Sequence, residues 1–142
     1  MKKKLFVYGT LMKKHLKEID LIGEEELRFV GNGRTEGELY DLGEYPGAVE
    51  KKGRYVYGEV YEIKDSDNVL RKLDEYEEFD PRNPQHSLFV RRASEVIMED
   101  GTEVCAIVYF YNGMTKGLKA IASGRWNKQL KLKQRKEISF QL

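Results

Sequence analysis

Glu77 occupies the position in the sequence that best suits acid/base chemistry. In the helical pattern around it, Val69 and Leu73 are spaced at i and i+4, and Glu77 continues the same line. Burial disfavours the charged form of a carboxylate and raises its pKa, which suits a general acid or base near neutral pH. The same pattern allows a structural interpretation, in which Glu77 ends the helix and pairs with Arg91 or Arg92.

A second candidate is the segment Tyr8-Gly9-Thr10-Leu11, where a short apolar strand ends in glycine before a helical pattern. Such a turn exposes several backbone N–H groups in one place. These groups can hold a carboxylate or an oxyanion without a charged side chain. An ordinary strand-to-helix turn has the same pattern, so the segment alone leaves both interpretations open.

The remaining reactive residue types give little support to metal, disulfide or thiol chemistry. Cys105 is the single cysteine and lies in the apolar run 104–108, which predicts a small buried side chain. The two histidines, His15 and His86, stand in polar contexts that are typical of solvated side chains. These residues leave few soft ligands for a metal ion.

The composition predicts one soluble domain without a nucleic-acid partner. The chain has 142 residues, and its 25 Lys and Arg are balanced by 24 Asp and Glu, for a net charge of +1. Charges of both signs are interspersed, which argues against a dedicated nucleic-acid surface. The N-terminal apolar run 5–8 is too short for a signal peptide or a membrane span, so we expect a cytoplasmic protein.

These residues must be positioned by strands and two short helices. Apolar patterning predicts strands at 4–8, 27–30, 35–42, 54–63, 88–98 and 103–111, and helices at 12–19 and 66–78. Turns are predicted at Gly31-Asn32-Gly33, Tyr45-Pro46-Gly47 and Asp100-Gly101. Tyr55, Tyr57 and Tyr61 share one strand face, which is typical of packing and also allows a pocket wall. The sum is an α+β domain over residues 1–126 with a mostly antiparallel, barrel-like sheet, followed by a basic tail at 127–142.

Six short segments occur in an order that is specific as a set. They are Tyr8-Gly9-Thr10-Leu11, Tyr45-Pro46-Gly47-Ala48, Gly58-Glu59-Val60-Tyr61, Leu73-Asp74-Glu75-Tyr76-Glu77, Phe89-Val90-Arg91 and Ser123-Gly124-Arg125-Trp126. Together they resemble the gamma-glutamylcyclotransferase-like family, in particular its AIG2-like gamma-glutamylamine cyclotransferase branch. The chain departs from the family pattern at Glu78, Phe89 and Arg125, where the family has Gly, Tyr and Asp.

The resemblance implies both a fold and a reaction. The fold is a small mixed β-barrel flanked by short helices. The reaction releases 5-oxoproline from a gamma-glutamyl amine or amino acid by intramolecular cyclisation, and the last Glu of the helix motif, Glu77, is the general acid/base. By family position, the N–H groups of Gly9-Thr10-Leu11 bind the substrate, and Tyr8 and Tyr45 wall the pocket. The expected partner is a small gamma-glutamyl substrate, with no cofactor, metal, nucleic acid or membrane; the sequence does not indicate an oligomeric state.

Two other functions remain open from the sequence alone. The first is a non-catalytic module that binds a small molecule in the same cavity, since a fold does not fix a function. Such a module would not need a desolvated carboxylate at Glu77. The second is nucleic-acid binding through the basic tail, against which the near-neutral net charge speaks.

Overall fold

The computed structural model of the protein describes residues 3–8, 26–43, 45–64, 66–76 and 79–126. Within these ranges the chain forms eight strands, one α-helix and one short 3-10 helix. In chain order they are β1 (Lys3–Val7), β2 (Leu27–Glu36), β3 (Glu38–Asp41), β4 (Pro46–Val49), β5 (Tyr55–Ile63), α1 (Ser66–Tyr76), the 3-10 helix (Pro84–His86), β6 (Phe89–Met98), β7 (Glu103–Tyr111) and β8 (Lys119–Ile121). The helix predicted at 12–19 lies outside the described residues.

Five strands close into a mixed barrel in the order β1-β5-β2-β6-β7. The neighbours within this order pair antiparallel, and the parallel pair of β1 with β7, where Leu5 lies opposite Ile107, closes the barrel. The predicted hairpin between β6 and β7 is confirmed, with Gly101 at a positive φ in its turn. The α+β class with a small, mostly antiparallel barrel is therefore confirmed.

A separate three-stranded antiparallel sheet has the order β4-β3-β8. Its edge strand β4 begins with Pro46, so the turn predicted at Tyr45-Pro46-Gly47 is wrong in position, and the chain reverses before Pro46. An edge strand tolerates proline because the missing N–H group leaves no ladder bond unmade on the outer side.

Alternating side chains on the strands build two hydrophobic clusters on opposite faces of the barrel wall. The inner cluster includes Phe6 and Tyr8 of the β1 segment, and Trp126 packs into it near the end of the described chain. The outer cluster includes Leu5 and packs the barrel wall against α1, through the helix residues Val69, Leu70 and Leu73. The apolar stripe predicted for this helix is therefore confirmed up to Leu73.

Two glycines predicted as a turn lie inside a continuous strand. β2 runs through Gly31 and Gly33, and a β-bulge between Phe29 and Gly31 shifts its register against β5. A Cβ atom at Gly33 would lie 2.7 Å from the Val96 side chain, so glycine here permits close packing against the neighbouring strand β6. The strand predicted at 35–42 is instead divided at Gly37 between β2 and β3.

Cys105 is exposed, which contradicts the prediction that it is buried. Its neighbour Ala106 points into the inner cluster, so the alternation of β7 turns Cys105 outward. The outer face is covered by α1 farther along β7, near Tyr109, but not at Cys105. In the described part of the chain, no helix is both long enough and apolar enough to cross a membrane.

Candidate active site

The predicted site residues divide between the described and the undescribed parts of the chain. Glu77 and the segment Gly9-Thr10-Leu11 lie outside the described residues, and their assignments remain predictions. Tyr8 and Tyr45 are described, as is helix α1 up to Tyr76. The surroundings of the site can therefore be built from the residues that flank Glu77 and Gly9 in the chain.

Tyr8 follows β1 directly, and its hydroxyl group makes two hydrogen bonds. Its ring is 1% exposed and belongs to the inner cluster. The hydroxyl donates a hydrogen bond to the backbone oxygen of Tyr109 at 2.6 Å and accepts one from the N–H of Ala48 at 3.2 Å. Tyr8 thus ties the end of β1 to β7 and β4, and it acts from within the core rather than from an open surface.

Tyr45 lies one residue before β4 and is 37% exposed. Its ring packs against Phe89 with the ring centroids 6.1 Å apart, and Phe89 in turn contacts Tyr111 at 5.8 Å. These three rings form a row that runs from the Tyr45 segment across β6 to β7. Of the two tyrosines predicted to wall the pocket, Tyr45 is therefore the one with an accessible ring face.

A buried carboxylate that sequence reasoning missed lies on the last turns of α1. Asp74 is 7% exposed, and its Oδ1 accepts a hydrogen bond of 2.6 Å from the hydroxyl of Tyr109. Its Oδ2 lies 3.2 Å from the guanidinium of Arg91. Burial raises the pKa of Asp74, and the hydrogen bond from Tyr109 and the charge of Arg91 oppose that rise. The signal was present in the sequence, because Asp74 follows Leu70 by four residues on the buried stripe.

Tyr109 connects the two segments that flank the predicted site. Its backbone oxygen binds Tyr8, the residue before Gly9, and its hydroxyl binds Asp74, three residues before Glu77. The chain beyond Glu77 is also fixed, since the N–H of Phe79 donates to the backbone oxygen of Asp74 at 2.8 Å. All these bonds are short, and those of Tyr109 are buried, so the end of β1 and the end of α1 are held to one residue of β7.

Two cavities border these segments. One, of about 470 Å³, lies beside the end of α1 and is lined in part by Asp74, Phe79 and Arg91. The other, of about 500 Å³, begins at Val7 and extends along β5 and β2, where Tyr57 forms part of its wall. Among the residues that the structure describes, no group of three or more His, Cys, Asp or Glu side chains is arranged to bind a metal ion.

Comparisons with known proteins agree with this architecture. Residues 5–128 match the family model described as "Gamma-glutamyl cyclotransferase, AIG2-like". The gamma-L-glutamyl-butirosin B gamma-glutamyl cyclotransferase of Niallia circulans is 33% identical over 114 residues, which are 76% of this chain and 66% of that protein. The gamma-glutamylcyclotransferase family protein YtfP of Escherichia coli K12 is 32% identical over 128 residues, which are 87% of this chain and 95% of YtfP.

A solved structure shares the fold over nearly the whole chain. The crystal structure of YkqA from Bacillus subtilis superimposes with a TM-score of 0.65 at 28% identity, over 95% of this chain and 43% of YkqA. The chain thus spans less than two thirds of YkqA and of the Niallia circulans protein, and nearly all of YtfP.

Proposed function

Because this chain belongs to the gamma-glutamyl cyclotransferase, AIG2-like family, we propose that it releases 5-oxoproline from a gamma-glutamyl amine or amino acid, with Glu77 as the general acid/base. The nucleophile in this reaction is the α-amine of the substrate itself. It forms a bond to the γ-carbonyl carbon, and the amide bond from that carbon to the leaving nitrogen breaks. The products are the five-membered lactam and a free amine or amino acid.

The protein must fold the substrate and move one proton. Glu77 takes the proton from the α-ammonium group and delivers it to the leaving nitrogen, a role worth about 10²–10⁴ in rate. Holding the amine against the carbonyl is worth several kcal/mol, on the order of 7 or more. The N–H groups of Gly9-Thr10-Leu11 bind the α-carboxylate or the developing oxyanion. Tyr45 offers a ring face to the substrate, and Tyr8 supports the same wall from the core.

One observation carries this proposal beyond family membership. Tyr109 hydrogen-bonds both Tyr8 and Asp74, which stand in the chain one residue before the proposed anion-binding segment and three residues before Glu77. Two segments that are far apart in sequence are thereby anchored on one buried residue, through its backbone oxygen and its hydroxyl. This supports a site in which Glu77 and the N–H groups of residues 9–11 act on the same substrate.

The substitution Glu77→Gln tests the proposal. The two side chains have nearly the same shape, but Gln cannot transfer a proton. We expect unchanged folding, nearly unchanged substrate binding, and turnover lowered by about 10²-fold or more. The measurement is 5-oxoproline formation from a panel of gamma-glutamyl amines and gamma-glutamyl amino acids.

Glu75→Gln and Glu78→Gln are the matched controls for this test. Glu75 is exposed on α1, and its substitution should leave turnover within about two-fold of the wild type. Lactam formation by Glu77→Gln at a near wild-type rate would remove the assignment. If the wild type binds members of the panel without turning them over, the non-catalytic binding module becomes the better description.

A further inference from the structure

The cavity that begins at Val7 lies against the outer face of β5 and β2. Tyr57 and Glu59 of β5 line it, and they lie opposite Arg34 and Asn32 of β2 in the register of the two strands. Val56 and Val60 alternate with these residues and point into the inner cluster. The cavity is therefore outside the barrel, and it reaches the chain one residue before Tyr8.

Arg125 lies over an aromatic ring in the wall of this cavity. Its guanidinium carbon lies 4.0 Å from the centroid of the Tyr57 ring. The loop that carries Arg125 is pinned to β5, because the N–H of Tyr57 donates to the backbone oxygen of Gly124 at 2.9 Å. Stacking occupies the face of a guanidinium group and leaves the N–H donors along its edge free to bind a planar anion.

Arg34 adds a second guanidinium group to the same cavity. It lies opposite Tyr57 in the strand pairing, and its guanidinium carbon is 5.1 Å from the centroid of the Tyr55 ring. Within the described ranges of the chain, neither Arg34 nor Arg125 forms an ion pair with a carboxylate. Two arginines held by aromatic rings and not by acids are suited to bind an anionic ligand.

The carboxylates in the cavity limit which anion fits. Glu59 and Glu99 also line it, so the two positive charges are balanced overall. Glu59 is itself engaged, because its Oε2 accepts a hydrogen bond of 2.6 Å from the hydroxyl of Tyr61. This balance disfavours a polyanion such as a nucleic acid, and it suits a ligand that carries a single carboxylate near the arginines.

We infer that Arg125, assisted by Arg34, binds the carboxylate of the leaving group, so that the preferred substrates are gamma-glutamyl amino acids and not gamma-glutamyl amines. This inference rests on the proposed function, since it assigns the half of the substrate that departs. The cavity is lined by Val7, and the proposed anion-binding segment begins two residues later in the chain. The bidentate geometry of a guanidinium group matches a carboxylate and offers nothing comparable to an uncharged alkyl group.

The test compares two substrates that differ only by that carboxylate, gamma-glutamylalanine and gamma-glutamylethylamide. Binding is followed by the fluorescence of Trp126, the single tryptophan of the chain, which also lines the cavity. Turnover is followed separately by 5-oxoproline release. In the wild type we expect gamma-glutamylalanine to bind about 10-fold or more tightly than the ethylamide, as a charge-assisted hydrogen bond provides.

The substitution Arg125→Gln should remove most of that preference. We expect the Kd for gamma-glutamylalanine to rise about 10-fold and the Kd for the ethylamide to stay within two-fold. Arg125→Gln combined with Arg34→Gln should equalise the two compounds. Arg92→Gln is the control, since Arg92 is an exposed arginine of β6 outside the cavity, and it should change neither Kd.

The outcomes separate the inference from the proposed function. Equal binding of the two compounds by the wild type, or an unchanged preference in Arg125→Gln, overturns the inference even if 5-oxoproline is released. A carboxylate preference that depends on Arg125 supports the inference, and if neither compound yields 5-oxoproline, only the proposed reaction is lost.

Discussion

At the scale of single residues, the best-defined interaction beside the site is the buried carboxylate of Asp74. Removing a carboxylate from water costs free energy unless its oxygens receive hydrogen bonds or face a positive charge. Asp74 has both compensations, one on each oxygen, from Tyr109 and Arg91. These two interactions offset the free energy of burying the carboxylate. They also fix the position of the last turns of α1 relative to the barrel wall.

Tyr109→Phe should raise the pKa of Asp74 further and destabilise the protein. The variant removes a hydrogen bond that lowers the pKa of Asp74, while the burial that raises it remains. Loss of a hydrogen bond to a buried charge costs about 1–3 kcal/mol at neutral pH. The measurements are the NMR titration of the Asp74 carboxyl carbon and urea unfolding between pH 4 and 7.

The pH dependence of that loss has a definite sign. The pKa of Asp74 is raised in the folded state above 3.8, so its contribution to stability is fully present below that value and is lost as pH rises through the folded pKa. The pKa of Asp74 is raised further in the variant, so the variant loses more unfolding free energy than the wild type as pH rises. The difference in unfolding free energy between the two proteins should therefore grow with pH. Tyr111→Phe is the control, since the hydroxyl of Tyr111 makes only an exposed contact. A constant difference across the pH range would contradict the role of Tyr109.

The burial of single residues could be predicted from sequence where the apolar pattern is periodic. It could not be predicted where burial depends on which element packs against the outer face of a strand. The spacing of Val69 and Leu73 placed both correctly in the buried stripe, and Glu75 is exposed as expected. Cys105 was predicted buried from its apolar neighbours. Its exposure depends on where α1 packs against the barrel, and a strand pattern does not contain that information.

At the scale of elements, glycine and proline were the least predictable positions. Gly33 and Pro46 were both assigned to turns, and both lie in strands. Their roles depend on partners that are distant in sequence, such as Val96 on the strand β6 that pairs with the Gly33 strand. The long strands β5, β6 and β7 were predicted almost to their ends, because their patterning is local.

Gly124→Ala should displace the loop that carries Arg125. Gly124 has a φ of +68°, and a Cβ atom there would lie 2.0 Å from the backbone oxygen of Tyr55. The variant therefore adds a clash with a strand to the strain of about 1–2 kcal/mol that a left-handed residue carries. The expected result is a lower melting temperature together with a shifted Trp126 emission spectrum.

Gly117→Ala separates strain from crowding in that experiment. Gly117 has a φ of +85° with open space around its Cβ position, so its substitution carries the backbone strain alone. We expect a smaller decrease in melting temperature and no change in Trp126 emission. Equal effects of the two variants would mean that the contact with β5 does not hold the loop.

At the scale of the whole molecule, the barrel is closed by pairings that no local pattern specifies. The parallel contact of β1 with β7 joins residues about a hundred positions apart, and the pairing of β5 between β1 and β2 reverses the chain order. Sequence patterning predicted the strands, and the resemblance to a known family predicted that they close into a barrel. The candidate site is predicted from the same two sources, since Glu77 has a physical argument of its own while Tyr45 has only its family position.

The proposed boundary after Trp126 can be tested by two truncations that differ by one residue. A chain that ends at Trp126 keeps the ring that packs into the inner cluster, and a chain that ends at Arg125 loses it. Loss of a buried aromatic side chain costs about 3–5 kcal/mol, so the shorter chain should unfold at a markedly lower urea concentration. If residues 1–126 form the domain, the longer truncation should keep a melting temperature close to that of the full chain. A large loss of stability in the chain that ends at Trp126 would instead assign residues 127–142 to the domain.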